Sequence, residues 1–451
     1  MSVPLRIILV STYEMGRQPF GLASPAAWLR EAGFEVRCVD LSIDAFAEGT
    51  LREADLVAFY VPMHTATRMA VRALSDVRRV NPSAHICFFG LYAAENADYL
   101  RGLGVDTILG GEFEASLVRL AGWLATTRST VTPPPAFPII SLERQTFHIP
   151  DRRDLPPLAR YAHLALPNGS QRLVGYVEAT RGCKHLCRHC PIVPVYNGRF
   201  RIIGRDIVLA DIRQQVAAGA QHITFGDPDF FNGIGHALPL VAALHAEFPD
   251  VTYDVTIKVE HLRRHVAHLA TLKDTGCAFI TSAVESFDSH ILDIFDKQHT
   301  PEDFATVLAE CRRIGLPLVP TFVAFTPWTT LDGYRAFLRE IARLGLVDSI
   351  APVQYTIRLL IPPGSRLLEM PAVQAIIGPL DEAKLSYEWR NPDPRVEALH
   401  HAVSGMVQRM TRLPRREVFQ RVWERAFDTD VQLPPLPSEM GVPYITEPWF
   451  C

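Results

Sequence analysis

The sequence predicts an α/β protein in which an N-terminal doubly wound parallel sheet is followed by a partial (β/α)6 TIM-like barrel and an α-helical C-terminal extension. Short apolar runs alternate with helix-like segments in two series along the chain, and a proline-rich stretch lies between the series. Parallel strands need long crossover connections, usually helices, so each alternating series indicates one parallel sheet. Helical patterns without clear strands follow the second series and indicate the extension.

The composition is that of a globular protein with room for two or three domains. The chain has 451 residues, of which 48% are hydrophobic and 21% are charged. Its formal net charge of −4 gives no electrostatic reason to expect nucleic acid or an anionic membrane as a partner. We therefore expect a small-molecule substrate.

Several features of the sequence indicate a cytoplasmic location. The first residues, MSVPLRIILVSTYE, contain only a short apolar stretch, which suits a buried strand better than a signal peptide. No apolar run reaches the roughly 18 residues that a membrane span needs. Three of the eight cysteines are clustered and the others are scattered, which suits a reducing compartment rather than a disulfide framework.

The first domain is predicted over residues 1–126. It contains five apolar runs, namely LRIILVS, EVRCVDLS, DLVAFYVP, AHICFFG and VDTILGG, separated by helical patterns. Ligands of doubly wound domains bind beyond the carboxyl ends of the strands. The candidate ligand-binding residues at those ends are Ser11, Thr12, Met63, His64, Gly90, Gly110, Gly111 and Glu112.

Residues 127–171 are so rich in proline that we expect a linker, and residues 172–364 are predicted to form the barrel. The predicted barrel strands are RLVGYVEAT, HITFGD, TYDVTIK, AFITSAVES, PLVPTFVAFTP and SIAPVQYTIRLL. Catalytic groups of such barrels lie at the carboxyl ends of the strands. Residues 365–451 are predicted to be a helical extension with an irregular tail that packs on the barrel.

The stretch GCKHLCRHC places Cys183, Cys187 and Cys190 in a CxxxCxxC spacing directly after the first barrel strand. A structural zinc ion takes four Cys or His ligands, and His185 and His189 lie in the same loop, so the spacing alone allows a zinc site. The loop leaves a barrel strand at the end where catalytic groups belong, which favours a reactive centre over a structural clip.

CxxxCxxC in this place resembles the signature of the radical S-adenosylmethionine (SAM) superfamily. The resemblance implies that the three thiolates bind three irons of a 4Fe-4S cluster and that SAM chelates the fourth iron. An electron from the cluster, supplied by a donor such as flavodoxin or ferredoxin, would then cleave SAM to give a 5′-deoxyadenosyl radical. His189 occupies the position where the family usually has an aromatic residue.

Two further barrel segments are similar to SAM-contacting segments of this family. ITFGDPDFF ends the second strand, and AVESFDSHILDIFDKQHT looks like the segment in which Glu and Ser contact the cofactor in cobalamin-type members. The same acidic residues could instead cap the helices that follow them. The residues implied to contact SAM are His189, Asp227, Asp229, Glu285 and Ser286.

Arg358 lies in RLLIPPGS, which resembles the last-strand region of these enzymes. That resemblance leaves two interpretations open. Arg358 either meets a carboxylate of the substrate or makes an ion pair within the fold.

A doubly wound domain ahead of such a barrel resembles the cobalamin-dependent radical SAM enzymes. GGEFEASLVRL is similar to the turn that these enzymes carry after the fifth strand, and IPDRRDLPPLARYA resembles their linker. The resemblance implies cobalamin at the strand ends of the first domain. The sequence has no DxHxxG segment, so no histidine is evidently placed to bind cobalt, and His64 either approaches the corrin or starts the helix after the third strand.

The sequence ends in EPWFC, and Cys451 is its last residue. The plain interpretation is a frayed terminus with a free thiol, although the Trp-Phe pair favours docking. The ending also resembles the tails of a group of cobalamin-type radical SAM proteins that carry Cys-Cys-Ala-Glu-Pro or Cys-selenocysteine-Ala-Glu-Pro. That resemblance implies a selenocysteine codon after Cys451 and a terminal thiol near the substrate.

The resemblance leads to three functional hypotheses. The first is cobalamin-dependent methylation of an unactivated centre in a small molecule. The second is a radical rearrangement, or sulfur, selenium or arsenic chemistry, without methyl transfer. The third is a non-catalytic sensor of cobalamin or of an iron-sulfur cluster.

Overall fold

The structure is a computed structural model that describes residues 5–127, 137–427, 431–437 and 441–447. Cys451 and the Trp449-Phe450 pair lie outside the described residues. Within the described part of the chain, no helix has the length and apolar character that crossing a membrane requires.

The N-terminal domain contains a parallel sheet, as predicted. Its strand order is 2-1-3-4-5-6, and the first five strands have the flavodoxin-like doubly wound order. The sixth strand lies inside the segment predicted to be a linker and extends the sheet beyond the five predicted runs. The strands are β1 (Arg6–Ser11), β2 (Glu35–Asp40), β3 (Leu56–Tyr60), β4 (His85–Phe89), β5 (Thr107–Gly111) and β6 (Ile140–Ser141).

Helices cover both faces of this sheet. Successive residues of β1 alternate between two apolar cores, with Ile7 and Leu9 in one core and Ile8 and Val10 in the other. A sheet buried on both faces leaves its carboxyl edge as the place for polar chemistry. The helices of this domain are α1 (Phe20–Glu31), α2 (Glu48–Glu53), α3 (His64–Val80), α4 (Leu91–Glu95), α5 (Ala97–Gly102) and α6 (Glu114–Thr127).

The second domain begins with a short antiparallel edge and continues as alternating strands and helices. Its strands are β7 (His163–Ala165), β8 (Gln171–Val177), β9 (Thr180–Gly182), β10 (Phe200–Ile202), β11 (His222–Phe225), β12 (Thr252–Thr256), β13 (Cys277–Glu285) and β14 (Leu318–Phe322). Its helices are α7 (Ile192–Tyr196), α8 (Arg205–Ala217), α9 (Ile234–Glu247), α10 (Val259–Arg264), α11 (Leu269–Asp274), α12 (Ser289–Phe295), α13 (Pro301–Arg313) and α14 (Leu331–Arg343). The helical period predicted after residue 300 is confirmed, because Phe304, Val307, Leu308 and Cys311 are all buried.

The C-terminal extension is mainly helical but also contains strands that the sequence did not predict. Its elements are α15 (Pro371–Gln374), β15 (Ile377–Asp381), β16 (Ser386–Trp389), α16 (Pro394–Arg409), α17 (Arg415–Phe427) and β17 (Tyr444–Ile445). β15 and β16 pair as an antiparallel hairpin, and β17 pairs antiparallel with β7. The tail therefore docks on the barrel sheet, in agreement with the prediction.

The barrel is a half-barrel with five parallel strands rather than six. The sheet order is β14-β13-β12-β11-β8-β7-β17, in which β8 and β11 to β14 are parallel. The predicted sixth strand, SIAPVQYTIRLL, instead forms a 3-10 helix (Pro352–Tyr355) and a single parallel bridge from Phe325 to Arg358. The 3-10 turn at Pro352–Tyr355 takes the chain out of extended conformation before Arg358, so no continuous strand forms there.

Candidate functional site

The cysteine loop connects β9 to α7 at the carboxyl end of the first barrel strand, where the sequence predicts it. Gly182 enters the loop with φ 74°, and a Cβ there would lie 2.5 Å from the carbonyl oxygen of Arg199, so the chain needs glycine at this position. Cys187 is buried and the other two thiols of the loop are partly buried. The three cysteines therefore share one sheltered loop at the mouth of the barrel.

The three thiols are spread too widely for a mononuclear zinc ion. Two sets of three potential ligands among the described residues have donor atoms within 4.8 Å of one another, and the thiols are not one of these sets. Zinc–sulfur bonds of about 2.3 Å would hold two sulfur ligands roughly 3.8 Å apart. A 4Fe-4S cluster binds each thiolate through a different iron, so the wider spacing of the thiols fits it better.

The thiols need a metal to ionise in this setting. Burial raises the pKa of Cys183 to about 11 and that of Cys190 to about 12. Asn232, which is fully buried, accepts hydrogen bonds from Cys183 Sγ at 3.8 Å and from the backbone N–H of Lys184 at 3.1 Å. Coordinated thiols are deprotonated outright, and Asn232 holds the start of the loop in place for coordination.

A buried ion-pair network joins the cysteine loop to the end of β13. Glu285 Oε1 lies 3.2 Å from His189 Nε2 and 3.2 Å from Lys297 Nζ. Burial alone would raise the pKa of Glu285, but Lys297 and His189 outweigh burial and lower it to about 2. Glu285 has φ 69°, a left-handed backbone that non-glycine residues adopt at a cost, which is common at functional sites. His189 stacks on Phe295 at 4.3 Å, and its Nδ1 atom has no hydrogen-bond partner among the described residues.

Ser286 follows Glu285 and is buried, as expected for a strand-end residue. Its Oγ atom accepts a hydrogen bond from the backbone N–H of Asp288 at 3.0 Å, which shapes the turn into α12. Asp288, in turn, caps α12 by accepting from His290 N–H. The helix-capping role that the sequence left open for the acidic residues therefore falls to Asp288 rather than to Glu285.

Asp227 and Asp229 follow β11 and differ in environment. Asp227 accepts hydrogen bonds from Ala179 N–H and from the Thr180 hydroxyl, and burial raises its pKa to about 7. Asp229 caps the 3-10 helix Phe230–Gly233 through Oδ1, while its Oδ2 faces His185 and His261. Thus, Asp227 supports the segment before the cysteine loop, whereas both carboxylate oxygens of Asp229 contact other residues of the protein.

Arg181 links the two domains immediately before the cysteine loop. Its guanidinium lies 2.7 Å from Glu114 and from Glu178, and 3.5 Å from Glu112. The Tyr196 hydroxyl donates to Glu112 at 3.1 Å, and burial raises the pKa of Glu112 to about 7 against the lowering effect of Arg181. Glu112 and Glu114 belong to the N-terminal domain, whereas Arg181, Glu178 and Tyr196 belong to the barrel. We call these five residues the Arg181 clamp.

Glu112 therefore has a role that the sequence did not indicate. The sequence placed Glu112 among candidate cobalamin-binding residues, but both of its carboxylate oxygens contact groups of the clamp or Gln145. The nearby glycines also have internal explanations, because a Cβ on Gly110 would lie 2.6 Å from Ala94 and one on Gly111 would lie 2.2 Å from the Ser141 carbonyl oxygen. This turn is shaped by packing between domains and against β6.

The other candidate residues of the first domain lie at the carboxyl ends of β1, β3 and β4. Gly90 has φ 108° and starts α4 against Tyr60, and Met63 precedes α3 without capping it through its side chain. Thr12 donates to the Ala66 carbonyl at 2.7 Å, whereas Ser11 Oγ is buried and has no hydrogen-bond partner among the described residues.

His64 starts α3, as one of its two interpretations predicted. Its Nε2 lies 2.7 Å from the carbonyl oxygen of Lys384, so Nε2–H is the donor and Nδ1 is left as a buried acceptor without a partner among the described residues. Burial lowers the pKa of His64, so the ring is held neutral. A neutral nitrogen that faces no protein donor can still accept a hydrogen bond from a ligand.

Arg358 makes an ion pair within the fold, the second of its two interpretations. Its guanidinium lies 3.0 and 3.1 Å from the carboxylate oxygens of Glu397 and stacks 3.5 Å from the ring centroid of Trp389. A bidentate, stacked guanidinium is already saturated with partners. The predicted substrate contact of Arg358 therefore has no support from the geometry, and the prediction for Cys451 falls outside the described residues.

Three important residues were not singled out from the sequence. They are Arg181, Asn232 and Lys297, and all three are buried. Lys297 lies twelve residues after Glu285 in the AVESFDSHILDIFDKQHT segment, and a lone basic residue after an apolar helix was the available signal. Arg181 and Asn232 carried no such signal, because Glu112 lies 69 residues from Arg181 and Cys183 lies 49 residues from Asn232 in sequence.

Comparison with known proteins finds a family match for the barrel region. Residues 177–340 match the Radical SAM superfamily. The chain is 24% identical over 331 residues to the hopanoid C-3 methylase of Methylococcus capsulatus, an alignment that covers 69% of this chain and 62% of the methylase. The chain thus spans less than two thirds of that relative's length.

Solved structures show the same fold. The radical S-adenosylmethionine methyltransferase TsrM from Kitasatospora setae, with tryptophan substrate and a SAM analog bound, aligns with a TM-score of 0.61 at 18% identity, covering 80% of this chain and 74% of TsrM. The cobalamin-dependent S-adenosylmethionine radical enzyme OxsB, with aqua-cobalamin bound, aligns with a TM-score of 0.68 at 14% identity, covering 90% of this chain and 67% of OxsB.

Radical SAM enzymes use a 4Fe-4S cluster and SAM, and the matched region contains the cysteine loop, Asp227 and Glu285. The likeness to OxsB covers the N-terminal sheet as well as the half-barrel, since it extends over nine tenths of the chain. The chain contains a Radical SAM domain over residues 177–340, and its two-domain fold is similar to that of the cobalamin-dependent enzyme OxsB and of TsrM.

Proposed function

We propose that the protein is a cobalamin-dependent radical SAM methyltransferase that methylates an unactivated centre in a small molecule. The observation that carries the proposal is the Arg181 clamp. It joins the carboxyl edge of the N-terminal sheet to Arg181, which lies two residues before Cys183. Ligands bind at the carboxyl edges of both kinds of sheet. Two ligand sites held edge to edge suit a reaction that needs two cofactors at one substrate.

In this proposal Cys183, Cys187 and Cys190 hold the 4Fe-4S cluster, and SAM lies against Asp227, Glu285 and the neighbouring strand ends. When bound, the cluster and SAM supply a radical that removes a hydrogen atom from the substrate, and cobalamin supplies the methyl group. Lys297 offsets the negative charge of Glu285 and lies close enough to the thiols to lower the pKa that burial gives Cys190. His189 offers its unpartnered Nδ1 beside the third cysteine.

The N-terminal edge suits a large polar ligand such as cobalamin. Ser11 Oγ, Glu14 Oε1, His64 Nδ1 and both carboxylate oxygens of Glu95 are buried without hydrogen-bond partners among the described residues. Each unsatisfied buried polar atom costs about 1–3 kcal/mol, a cost that a polar ligand removes. Glu95 lies where the domains meet, since a Cβ on Gly364 would lie 3.5 Å from its Cγ and 3.0 Å from Pro194. Burial raises the pKa of Glu95 to about 8, so a neutral carboxyl group there can donate a hydrogen bond.

The substrate and the electron donor remain predictions. The similar proteins include a hopanoid methylase and a methyltransferase solved with tryptophan, which supports methyl transfer as the reaction type without selecting a substrate. Strong reduction of the cluster requires a donor such as flavodoxin or ferredoxin, and we place the reaction in the cytoplasm.

Anaerobic reconstitution with iron, sulfide and cobalamin tests the proposal. We expect corrin absorbance to remain with the protein after gel filtration, and we expect SAM with reductant to yield 5′-deoxyadenosine and S-adenosylhomocysteine when substrate is present. 5′-Deoxyadenosine without S-adenosylhomocysteine would favour rearrangement or sulfur, selenium or arsenic chemistry. If neither product forms under strong reduction, the protein is a sensor.

The ligands of the cluster are tested separately with Cys187→Ala. We expect complete loss of the 4Fe-4S absorbance and of bound iron, because three thiolates are the minimum set for the cluster. Cys38→Ala, which changes another buried thiol on β2, is the matched control and should keep the cluster. A full iron content in Cys187→Ala would overturn the assignment of ligands.

A further inference from the structure

A second group of potential metal ligands lies beside the cysteine loop. His185, Asp229 and His261 place three donor atoms within 4.8 Å of one another. They come from three different elements: the cysteine loop, the turn after β11, and α10. The family resemblance implies a SAM contact for Asp229, but it gives neither His185 nor His261 a role with SAM or the 4Fe-4S cluster.

The distances within the group are those of ligands around one ion. His261 Nδ1 lies 2.7 Å and His185 Nε2 lies 3.2 Å from the same oxygen, Asp229 Oδ2. An ion with bonds of about 2.0–2.2 Å to nitrogen and oxygen holds adjacent ligand atoms roughly 3.0–3.5 Å apart. The 3.2 Å separation falls in that range, and the 2.7 Å separation is shorter, so a bound ion would move His261 and Asp229 slightly apart.

His261 Nδ1 is a buried nitrogen without a hydrogen-bond partner among the described residues. It lies 2.7 Å from Asp229 Oδ2, the distance of a close ion pair. His261 is only 4% exposed and Asp229 only 1%, so neither side chain can turn to water. A buried ring nitrogen without a hydrogen-bond partner, close to a carboxylate oxygen, is available to bind a metal ion.

The surroundings supply the charge and the outer contacts that a metal site needs. Burial would raise the pKa of Asp229, but the neighbouring His185 and His261 lower it, so the ligand oxygen is anionic. Glu260 Oε2 lies 3.4 Å from His185 Nδ1, the position from which a carboxylate orients a metal-bound histidine. Lys258 also contacts His185 Nδ1 at 3.2 Å, and its charge is offset by Glu260 at 3.1 Å.

We propose that His185, Asp229 and His261 bind one divalent transition-metal ion, of the class of Zn²⁺ or Fe²⁺, separate from the 4Fe-4S cluster. Two histidines and one carboxylate suit these metals and leave coordination positions open. The ion ties the middle of the cysteine loop to the ends of β11 and α10. Its role is to position the loop, because His185 lies between Cys183 and Cys187 in sequence.

Cobalt titration tests the site without interference from the cluster. The probe is Co²⁺ added to the full-length Cys183→Ala/Cys187→Ala/Cys190→Ala protein, in which no thiol of the loop remains. We expect one Co²⁺ per chain, visible as d–d absorbance, with micromolar or tighter affinity. In the same background His261→Ala should weaken binding by at least about a hundredfold, and Glu260→Gln by about 10–100-fold.

His268→Ala is the matched control, because His268 is exposed, lies seven residues after His261, and is outside the ligand set. It should bind Co²⁺ as the parent does. Asp229→Asn keeps the size of the side chain and serves as a second ligand variant if His261→Ala fails to fold. Absence of micromolar binding in the parent, or equal binding in the ligand variants and the control, would show a hydrogen-bonded group and overturn the proposal.

Discussion

The carboxyl edges of the two sheets differ in how their polar groups are held. At the barrel edge, Glu285 is held by Lys297 and His189, and Asp227 by two hydrogen bonds from the segment before the cysteine loop. At the N-terminal edge, Ser11 and Glu95 have buried polar atoms without partners among the described residues. Both edges obey the same topological rule. The carboxylates Asp227 and Glu285 of the barrel edge have partners, although His189 Nδ1 does not, whereas neither carboxylate oxygen of Glu95 at the N-terminal edge has a partner among the described residues.

The difference matches the kind of ligand proposed for each edge. A small, charged cofactor such as SAM is positioned by a few strong contacts, which must be in place before it binds. A large ligand such as cobalamin makes many weaker contacts, so individual polar groups can stay unpaired until it arrives. The Arg181 clamp joins the two edges, because its residues come from both domains.

Removing the clamp should have the largest effect on the folded protein. Arg181→Met leaves three carboxyl groups buried without their cation, and breaking a buried ion pair typically costs about 3–5 kcal/mol. We expect the apparent free energy of unfolding, from guanidinium denaturation of the cluster-free protein, to fall by about that amount. The loss should be accompanied by weaker binding of cobalamin, since the edges no longer face each other.

Arg213→Met is the control for this prediction. Arg213 pairs with Glu247 at 2.6 Å, but this pair lies on the surface, where solvent screens the charges. We expect little change in stability. If the two variants unfold at the same denaturant concentration, the clamp does not join the edges.

Glu285→Gln tests the prearranged barrel edge. The substitution keeps the shape of the side chain but removes the charge that holds Lys297 and His189, so we expect SAM to bind about 10–100-fold more weakly to the reconstituted protein. Equilibrium dialysis under anaerobic conditions measures this. Glu397→Gln breaks the ion pair with Arg358 and should leave SAM affinity unchanged. If SAM affinity falls equally in both variants, Glu285 has no specific role in binding SAM.

The sequence predicted much of the fold and only part of the site. The alternation of strands and helices gave both sheets, because it follows from a local period that the chain must keep to bury its apolar faces. The prediction of a sixth barrel strand was wrong because Pro352–Tyr355 forms a 3-10 helix, and β6 was missed because two residues are too few for a pattern. Cys183 and its two companions were predicted as a group because their spacing is local.

Contacts between distant residues could not be predicted in the same way. Glu112 and Arg181 are separated by 69 residues, and no periodicity links a glutamate on one domain to an arginine on another. The same limit applies to Arg358, whose two interpretations differed only in whether a partner such as Glu397 was within reach. Groups of residues that are close in sequence could be predicted from their spacing, whereas the pairing of buried charges could be identified only in the structure.

The smallest expected effect is on the pH dependence of the free energy of unfolding, which tests Glu112 at the N-terminal edge. Burial raises the pKa of Glu112 from an ordinary value near 4.5 to about 7, so between these values the folded protein holds a proton that the unfolded chain has lost. Stability from this group is therefore present at low pH and falls as the pH rises from about 4.5 through 7.

Glu112→Gln keeps a neutral side chain at this position. The free energy of unfolding should therefore fall less steeply between pH 4.5 and 7 than in the parent, and the two slopes should differ by at most about 1.4 kcal/mol per pH unit. Urea denaturation of the cluster-free protein at pH 5, 6 and 7 measures the slope. Glu424→Gln changes an exposed glutamate on α17 and should follow the parent curve. If Glu112→Gln also runs parallel to the parent, Glu112 is ionised throughout. The clamp then holds Glu112 as an ion rather than as a neutral hydrogen-bonding group, and Arg181 stabilises the domain contact more strongly than its distances suggest.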